Sequence, residues 1–362
     1  AVRAGHTHGA SDSLPAYLTL IGEVPMGDAP AFEIGPGQCA LIHTGGMSPP
    51  GADAVVMLQY TQLTQAREGS ETFARFGEIE ISRAVADGEN VIRIGEDVAQ
   101  GQLVLPKGTR ARPAEIGGLM ALGITSVRVA RLVRVGLIST GDEVIDPSQT
   151  PRPGQVRDIN SYTLGALVEK SGGVAVRYGI VSDQFQALKE AAAKALSECD
   201  VVIVTAGSSA STRDMTADVI RSLGEPGVLV HGINTRPGKP TILGVCSGKA
   251  VIGLPGNPVS ALVNGYLFVV PVIEKLLGAL PRPRATVQAR LTVNLPSQAG
   301  REDWWPVKLA VSSQQLAVKY DAEPIFGKSN LIFTLASADG LLRIHPDATG
   351  LSAGETVEVI LL

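Results

Sequence analysis

The pattern of apolar and polar residues divides the chain into parts of different texture. The first part has short apolar runs separated by Gly and Pro clusters, at residues 17–21, 38–42 and 54–57. Runs of this length bounded by turn residues are typical of strands, so a β-rich domain is predicted over residues 1–90.

A linking segment is predicted over residues 91–131. Strand-like pieces at 102–105 and 126–129 flank a helix that is expected to begin at Pro113 and to end before Gly123. Proline suits the first turn of a helix and glycine suits the position after its end.

From residue 132 onward, apolar strands alternate with amphipathic helices. The predicted order is strand 133–138, a helix from Asn160, strand 174–181, helix 184–197, strand 201–204, helix 215–223, strands near Thr241 and Val251, and helix 257–277. This alternation implies βαβ crossovers and a doubly wound, mostly parallel α/β domain over residues 132–280. Short alternating strands return over residues 281–362 and predict a C-terminal β-barrel or small sandwich.

Composition narrows the class of protein. A chain of 362 residues exceeds the roughly 250–300 residues of a single core, and 44% hydrophobic residues exclude a disordered chain. A net charge of −4, no basic run and 4% aromatics argue against nucleic acid as a partner. The longest apolar stretch, 266–273, is too short to span a membrane, and Cys39, Cys199 and Cys246 form no CxxC. We expect a soluble, cytoplasmic protein.

Candidate chemistry lies directly after the predicted strands, where ligands bind in open α/β sheets. The segments concerned are 139–143, Asp183, 205–214 and 254–258, and the polar segment 237–240 precedes a late strand. These segments contain four carboxylates, Asp142, Glu143, Asp183 and Asp214. One or two of them, together with phosphate oxygens of a substrate, would suit Mg²⁺. Each also fits a solvated loop acid or a helix cap.

Three of these segments favour anion binding. Gly207, with hydroxyl neighbours such as Ser209, predicts backbone N–H groups around a phosphate, although the hydroxyls would equally cap the following helix. Gly256 and Asn257 precede Pro258 at another predicted helix start, and Lys239 beside Gly238 offers a point charge. Because HExxH and GxSxG are both absent, a zinc enzyme of that type and a Ser–His–Asp hydrolase are disfavoured. The residues alone indicate a magnesium-assisted enzyme acting on a phosphorylated ligand and do not name that ligand.

Several motifs together resemble the MoeA family, the molybdopterin molybdenumtransferases related to the E domain of gephyrin. They are Ala-Val-Arg-Ala at 1–4, Thr-Gly at 44–45, Arg-Ile-Gly-Glu-Asp at 93–97, Thr-Gly-Asp-Glu at 140–143, Pro-Gly-Lys-Pro at 237–240 and Gly-Leu-Pro-Gly-Asn-Pro-Val-Ser-Ala at 253–261. The resemblance implies a β-rich domain, a linking domain, a molybdopterin-binding α/β domain and a C-terminal β-barrel in a homodimer whose clefts are shared between subunits.

The resemblance also implies a reaction: Mg²⁺-dependent insertion of molybdate into adenylylated molybdopterin with release of AMP. It makes Glu143, Asp183 and Asp214 catalytic acids, of which Glu143 and Asp214 hold the metal. The implied substrate-binding residues are Thr44, Gly45, Asp97, Thr140, Gly141, Asp142, Gly207, Ser209, Gly238, Lys239, Pro255, Gly256, Asn257 and Pro258. Other proteins of molybdenum cofactor biosynthesis are implied as further partners.

Two features depart from the family pattern. The loop before Asp214 reads Thr-Ala-Gly-Ser-Ser-Ala-Ser over 205–211, where the family has Ser-Gly-Gly-Val-Ser-Val-Gly. The Asp-Gly-Tyr that usually precedes Ala-Val-Arg-Ala is not in the chain, so we expect a further site acid upstream of Ala1. Two alternatives stay open at this point: a molybdopterin adenylyltransferase, and a gephyrin-like scaffold without catalysis.

Overall fold

The computed structural model describes residues 1–65, 77–206, 210–312 and 319–362. The chain forms two compact units, Ala1–Val104 and Leu105–Leu362. The first unit holds a mixed sheet in the order β2-β1-β4-β3, in which β1 and β2 are parallel and the other pairs antiparallel. Its strands are β1 (Ala16–Val24), β2 (Gln38–Ile42), β3 (Thr61–Gln65) and β4 (Glu78–Ile81). Val2, Leu18, Ala54 and Ile81 are among its buried core residues.

Three of the expected strands are not formed. In the segment 54–57, Ala54 makes a single bridge with Val2, and Val55 N–H donates to the Glu89 carbonyl, so no continuous ladder develops. The segments 102–105 and 126–129 have no ladder partner among the described residues, and none of their side chains is fully buried. Helix α1 (Pro113–Ala121) between them is confirmed, with Pro113 in its first turn. The boundary between the two units falls inside the predicted linking segment.

The α/β region of the second unit contains a sheet in the order β10-β12-β13-β9-β5-β8. The strands from β13 to β8 are parallel, whereas β12 runs antiparallel to β13 and to β10. The strands of this region are β5 (Val133–Thr140), β6 (Val144–Ile145), β7 (Val156–Arg157), β8 (Gly173–Val181), β9 (Val201–Ala206), β10 (Pro226–His231), β11 (Thr235–Arg236), β12 (Ile242–Cys246) and β13 (Lys249–Pro255).

Helices cover both faces of this sheet. They are α2 (Asn160–Lys170), α3 (Phe185–Glu198), α4 (Ala210–Ser222), α5 (Pro258–Asn264), a π-helical turn (Gly265–Val269) and α6 (Val270–Leu276). Residues of α2, α5 and α6 pack on one face, and residues of α3 and α4 pack on the other. Every residue of β9 is buried, as expected for a central strand covered on both sides. The doubly wound, mostly parallel sheet is thus confirmed.

The helix 258–276 is the one segment in the described parts of the chain that is long and apolar enough to cross a membrane, with 19 residues and a mean hydropathy of 1.5. Val263, Val269 and Ile273 on it are fully buried in the protein. These contacts are typical of a core helix.

The C-terminal region forms a closed β-barrel, as the sequence predicts. Its strands are β14 (Thr286–Leu291), β15 (Leu295–Pro296), β16 (Glu302–Val311), β17 (Tyr320–Pro324), β18 (Gly340–Ile344), β19 (Gly350–Leu351) and β20 (Thr356–Leu361), and α7 (Ile332–Ala336) precedes β18. The ring runs β16-β17-β14-β20-β18 and closes through pairing of β16 with β18. Strand β11 of the α/β region adds to β16 in parallel, so the two regions share a sheet edge.

Asp200, just before β9, gives the fold a predicted sensitivity to acid. Both Nη atoms of Arg131 donate to its carboxylate, at 2.7 and 2.6 Å, and the Arg134 N–H donates at 2.9 Å. The Arg131 hydrogen bonds lower the pKa of Asp200 from 3.8 to about 2. A carboxylate whose pKa is lower in the folded than in the unfolded protein stabilises the fold at pH values above the unfolded pKa. For Asp200 this stabilisation is lost as the pH falls from 4 towards 2.

We therefore expect wild-type stability to fall more steeply than that of Asp200→Asn over this pH window, by less than about 1 kcal/mol because Arg131 is exposed. Urea unfolding at several pH values measures the difference. Parallel pH profiles for the two proteins would contradict the assignment.

Candidate functional site

Acidic side chains gather at the carboxyl ends of β5 and β8. Thr140 at the end of β5 pairs with Val181 of β8, so Asp142 and Asp183 each follow two residues beyond this register. The Asp183 N–H donates to Asp142 Oδ1 at 3.2 Å. The fold therefore brings together Asp142 and Asp183, two of the acids predicted at strand ends. We call Thr140, Asp142, Glu143 and Asp183 the acidic edge.

Gly141 makes room for Glu143 at the acidic edge. Its φ of +137° is disfavoured for other residues, and an added Cβ would stand 2.7 Å from Glu143 Oε2. The carboxylate thus lies in space that only glycine leaves open. The neighbouring Thr140 Oγ1 is buried and has no hydrogen-bond partner among the described residues, while Asp142 and Glu143 are exposed. The acidic edge thus combines polar oxygen atoms with access to solvent.

The other predicted residues of this edge are only partly described. Asp214 lies in α4, which follows β9, and its side chain is exposed. Gly207 and Ser209 lie outside the described residues.

The four side chains of the acidic edge carry only oxygen donors, and oxygen is the ligand atom that Mg²⁺ prefers. Within the described ranges, no group of three His, Cys, Asp or Glu side chains forms a metal cluster. Mg²⁺ does not require such a cluster, since it commonly uses one or two carboxylates, water and substrate phosphate. The residues present therefore fit a magnesium ion that a phosphorylated substrate helps to bind.

A separate cavity of about 710 Å³ lies between the α/β region and the barrel. It is lined by parts of three motifs, the Pro-Gly-Lys-Pro loop after β11, the Pro-Gly-Asn-Pro loop after β13 and the Gly-Lys-Ser segment before α7. Of the predicted residues, Gly238, Lys239, Pro255 and Asn257 line it, whereas Gly256 and Pro258 belong to the same loop without lining it.

The cavity wall is strongly basic. Four cations line it, and no carboxylate does so among the described residues: the cations are Arg236, Lys239, Arg301 and Lys328. Hydroxyl groups of Ser260, Ser329 and Thr334 stand in the same wall. Cationic N–H groups together with hydroxyls suit an anion with several oxygens.

Close packing fixes the loop that carries Lys239. Gly238 has φ +109°, and a Cβ there would overlap the side-chain amide of buried Asn264. Asn264 Nδ2 donates to the Pro237 carbonyl at 3.1 Å, and Ile233 N–H donates to the Lys239 carbonyl at 2.9 Å. The backbone is thus held on both sides, while the Lys239 side chain stays exposed.

Ser329, in the barrel region, is hydrogen-bonded to the Pro-Gly-Asn-Pro loop and to the start of the helix that follows it. Asn257 Nδ2 donates to Ser329 Oγ at 3.1 Å, and Val259 N–H donates to the Ser329 carbonyl at 3.0 Å. On the other side, Asn160 Nδ2 donates to the Gly256 carbonyl at 2.8 Å. Asn160 opens α2, directly after the loop that leaves the acidic edge, so the Pro-Gly-Asn-Pro loop connects the cavity with that part of the sheet.

The barrel region contributes residues to the cavity that do not follow a strand of the α/β region and were not predicted from the sequence. Gly-Lys-Ser at 327–329 is a signal that could have pointed to Lys328 and Ser329, whereas Arg236, Arg301 and Trp305 belong to no recognisable motif. They meet because β11 pairs in parallel with β16, with Thr235 opposite Glu302 and Arg236 opposite Asp303.

The remaining predicted residues lie in the first unit. Thr44 and Gly45 form an exposed turn after β2, closed by a hydrogen bond from the Gly46 N–H to the His43 carbonyl at 2.8 Å. Asp97 is exposed in the loop that follows Arg93. Each of these groups is accessible to a ligand.

Comparisons with known proteins cover nearly the whole chain. The family model described as MoeA N-terminal region (domain I and II) matches residues 1–123, the probable molybdopterin binding domain matches 136–275, and the MoeA C-terminal region (domain IV) matches 288–362.

Relatives agree with these matches. A putative molybdopterin biosynthesis protein of Methanocaldococcus jannaschii is 36% identical over 100% of the chain and 83% of its own length. A molybdopterin molybdenumtransferase of a Nostoc species is 33% identical over 100% of the chain and 81% of its length. The crystal structure of a molybdopterin biosynthesis MoeA protein from Pyrococcus horikoshii is similar with a TM-score of 0.79 and 33% identity, covering 100% of the chain and 85% of that structure.

Proposed function

The chain belongs to the MoeA family, and from that membership we propose that it inserts molybdenum from molybdate into adenylylated molybdopterin and releases AMP. Its relatives make it a transferase of molybdenum cofactor biosynthesis that acts on molybdopterin and molybdate. The adenylylated form of the substrate, the release of AMP and the requirement for Mg²⁺ are the parts proposed here.

The basic cavity carries the proposal. Molybdate is a tetrahedral dianion whose oxygens only accept hydrogen bonds, and the wall offers four cations with no carboxylate among the described residues. Lys239 supplies an ammonium group to this wall from the α/β region, and Ser329 supplies a hydroxyl from the barrel region. We infer that the oxyanion binds there and that Pro255 and Asn257 shape the entrance for the pterin substrate.

The acidic edge suits the cleavage of the pyrophosphate link in the proposed reaction. Cleavage of a pyrophosphate link develops negative charge on phosphate oxygens, which a bound magnesium ion would neutralise. Glu143 and Asp214 are the acids assigned to the metal, and Asp142 and Asp183, which share a hydrogen bond, are assigned to orient water or a phosphate group. The oxygen-only chemistry of these four side chains and the exposure of Asp142, Glu143 and Asp214 support this assignment.

Further residues are assigned to substrate binding on the family pattern. They are Thr44, Gly45, Asp97, Thr140, Gly141, Gly207, Ser209, Gly238, Gly256 and Pro258. We also propose a cytoplasmic homodimer in which Thr44 and Asp97 of one subunit serve the partner's cleft, with domain bounds near residues 90, 131 and 280. Matches of MoeA-type regions on both sides of the α/β domain disfavour a lone adenylyltransferase.

Lys239→Ala tests the oxyanion site. Both tryptophans of the chain, Trp304 and Trp305, line the cavity, so intrinsic fluorescence reports on molybdate binding. Losing one charge-assisted hydrogen bond should weaken molybdate binding by about 10- to 100-fold. Lys308→Ala is the matched control, because Lys308 is exposed on the same strand as the tryptophans and does not line the cavity. Equal affinities for the two variants would remove the cavity from the proposed site.

A further inference from the structure

Asp303 is a fully buried carboxylate beside the basic cavity. It lies on β16, and its side chain is 1% exposed. Arg301 holds it through two hydrogen bonds, Nε to Oδ1 at 2.7 Å and Nη2 to Oδ2 at 3.0 Å. Arg236 approaches the same carboxylate, with Nη1 at 3.7 Å from Oδ2. One acid therefore engages two of the cations that line the cavity.

The two arginines come from different regions of the fold. Arg236 ends β11 directly before the Pro-Gly-Lys-Pro loop, and Arg301 precedes β16 of the barrel. The Arg236 guanidinium also lies 5.2 Å from the centre of the Trp305 ring, which limits its movement on that side. Arginine side chains have many rotamers, so an unheld guanidinium loses entropy when it binds an anion.

We propose that Asp303 is a positioning residue for the anion cavity, holding the guanidinium groups of Arg301 and Arg236 in place for the oxyanion. This inference rests on the proposed function, since it concerns the same cavity. A two-point bond fixes the plane of a guanidinium as well as its position, and the remaining N–H groups are then directed consistently.

The direction in which Asp303→Asn changes the affinity for molybdate distinguishes a positioning role of Asp303 from a simple effect of its charge. Asp303→Asn removes a negative charge from the neighbourhood of the cavity. If the carboxylate acted only through its charge, a dianion would bind more tightly to the variant. If Asp303 positions the arginines, binding weakens instead, because the amide has one acceptor oxygen and its NH2 group would face an Arg301 N–H whose hydrogen bond the second carboxylate oxygen now accepts. A merely structural role lowers thermal stability and leaves the affinity of the folded protein unchanged.

Titration with inorganic molybdate, followed by tryptophan fluorescence below the unfolding transition, is the test. We expect Asp303→Asn to bind about tenfold more weakly than wild type, the size of effect seen when partners of ligating residues are removed. The KM for molybdate should rise with little change in kcat. The matched control is Asp321→Asn, since Asp321 pairs with Arg290 at 2.9 Å within the barrel and neither residue lines the cavity.

Arg301→Lys provides a second measurement should Asp303→Asn not fold. It keeps the charge and loses the planar two-point bond, so it too should bind molybdate more weakly. Unchanged or tighter binding by Asp303→Asn, or wild-type affinity in Arg301→Lys, overturns this inference alone. Absence of molybdate binding by the wild type overturns the oxyanion site of the proposed function as well.

Discussion

Glu143→Gln is expected to lower the turnover number by about 10²- to 10³-fold, as the loss of one electrostatic group at a reacting centre does. The amide has nearly the shape of the carboxylate, so the contact over Gly141 persists and the fold should be preserved. Glu143 does not line the basic cavity, and molybdate affinity should therefore be that of the wild type.

Two assays check this prediction on the same protein samples: release of AMP from adenylylated molybdopterin, and fluorescence titration with molybdate. Glu274→Gln serves as the control, because Glu274 is exposed on α6, away from the acidic edge. A folded Glu143→Gln protein with wild-type turnover would exclude Glu143 from the chemistry.

Gly238→Ala is expected to lower the free energy of unfolding by about 2–5 kcal/mol, since backbone strain adds to overpacking in a close-packed site. The added methyl would overlap the amide of Asn264, which is fully buried and hydrogen-bonded to the Pro237 and Ser260 carbonyls. Relief of this overlap must move the loop that carries Lys239. Loss of molybdate binding should therefore accompany the loss of stability.

Gly248→Ala distinguishes the loss of stability caused by backbone strain from the loss caused by overlap with Asn264. Gly248 also has a positive φ, of +78°, but no atom lies within 4 Å of the added Cβ. Strain alone should cost about 1–2 kcal/mol there and leave molybdate binding intact. Urea unfolding of both variants gives the comparison, and equal losses would show that the contact with Asn264 is unimportant.

The sequence predicts the α/β domain well because its strands are buried on both faces and separated by helices of clear period. Asp142 and Asp183 illustrate the benefit, since parallel strands end at one sheet edge and bring their following residues together. Strand β10 escaped prediction because Pro226 and Gly227 at its start have the composition of a turn. Strand-like segments such as 126–129 have no ladder partner in the described part of the chain.

The cavity was harder to predict than the acidic edge. Lys239 and Asn257 follow or precede strands and were found in this way, whereas Arg301 and Trp305 reach the same wall from the barrel. Their meeting depends on the pairing of β11 with β16, a contact between segments more than 60 residues apart in the chain. No local period encodes such a pairing, so only the folded structure brings the full set of cations together.

The most direct test of the central claim is a single-turnover assay with adenylylated molybdopterin, molybdate and Mg²⁺, in which AMP and molybdenum cofactor are both measured. The proposed function predicts AMP released in proportion to cofactor able to activate an apo-molybdoenzyme, and no such release when molybdate or Mg²⁺ is omitted. Failure to release AMP with all three components present, or consumption of ATP in its place, would contradict it.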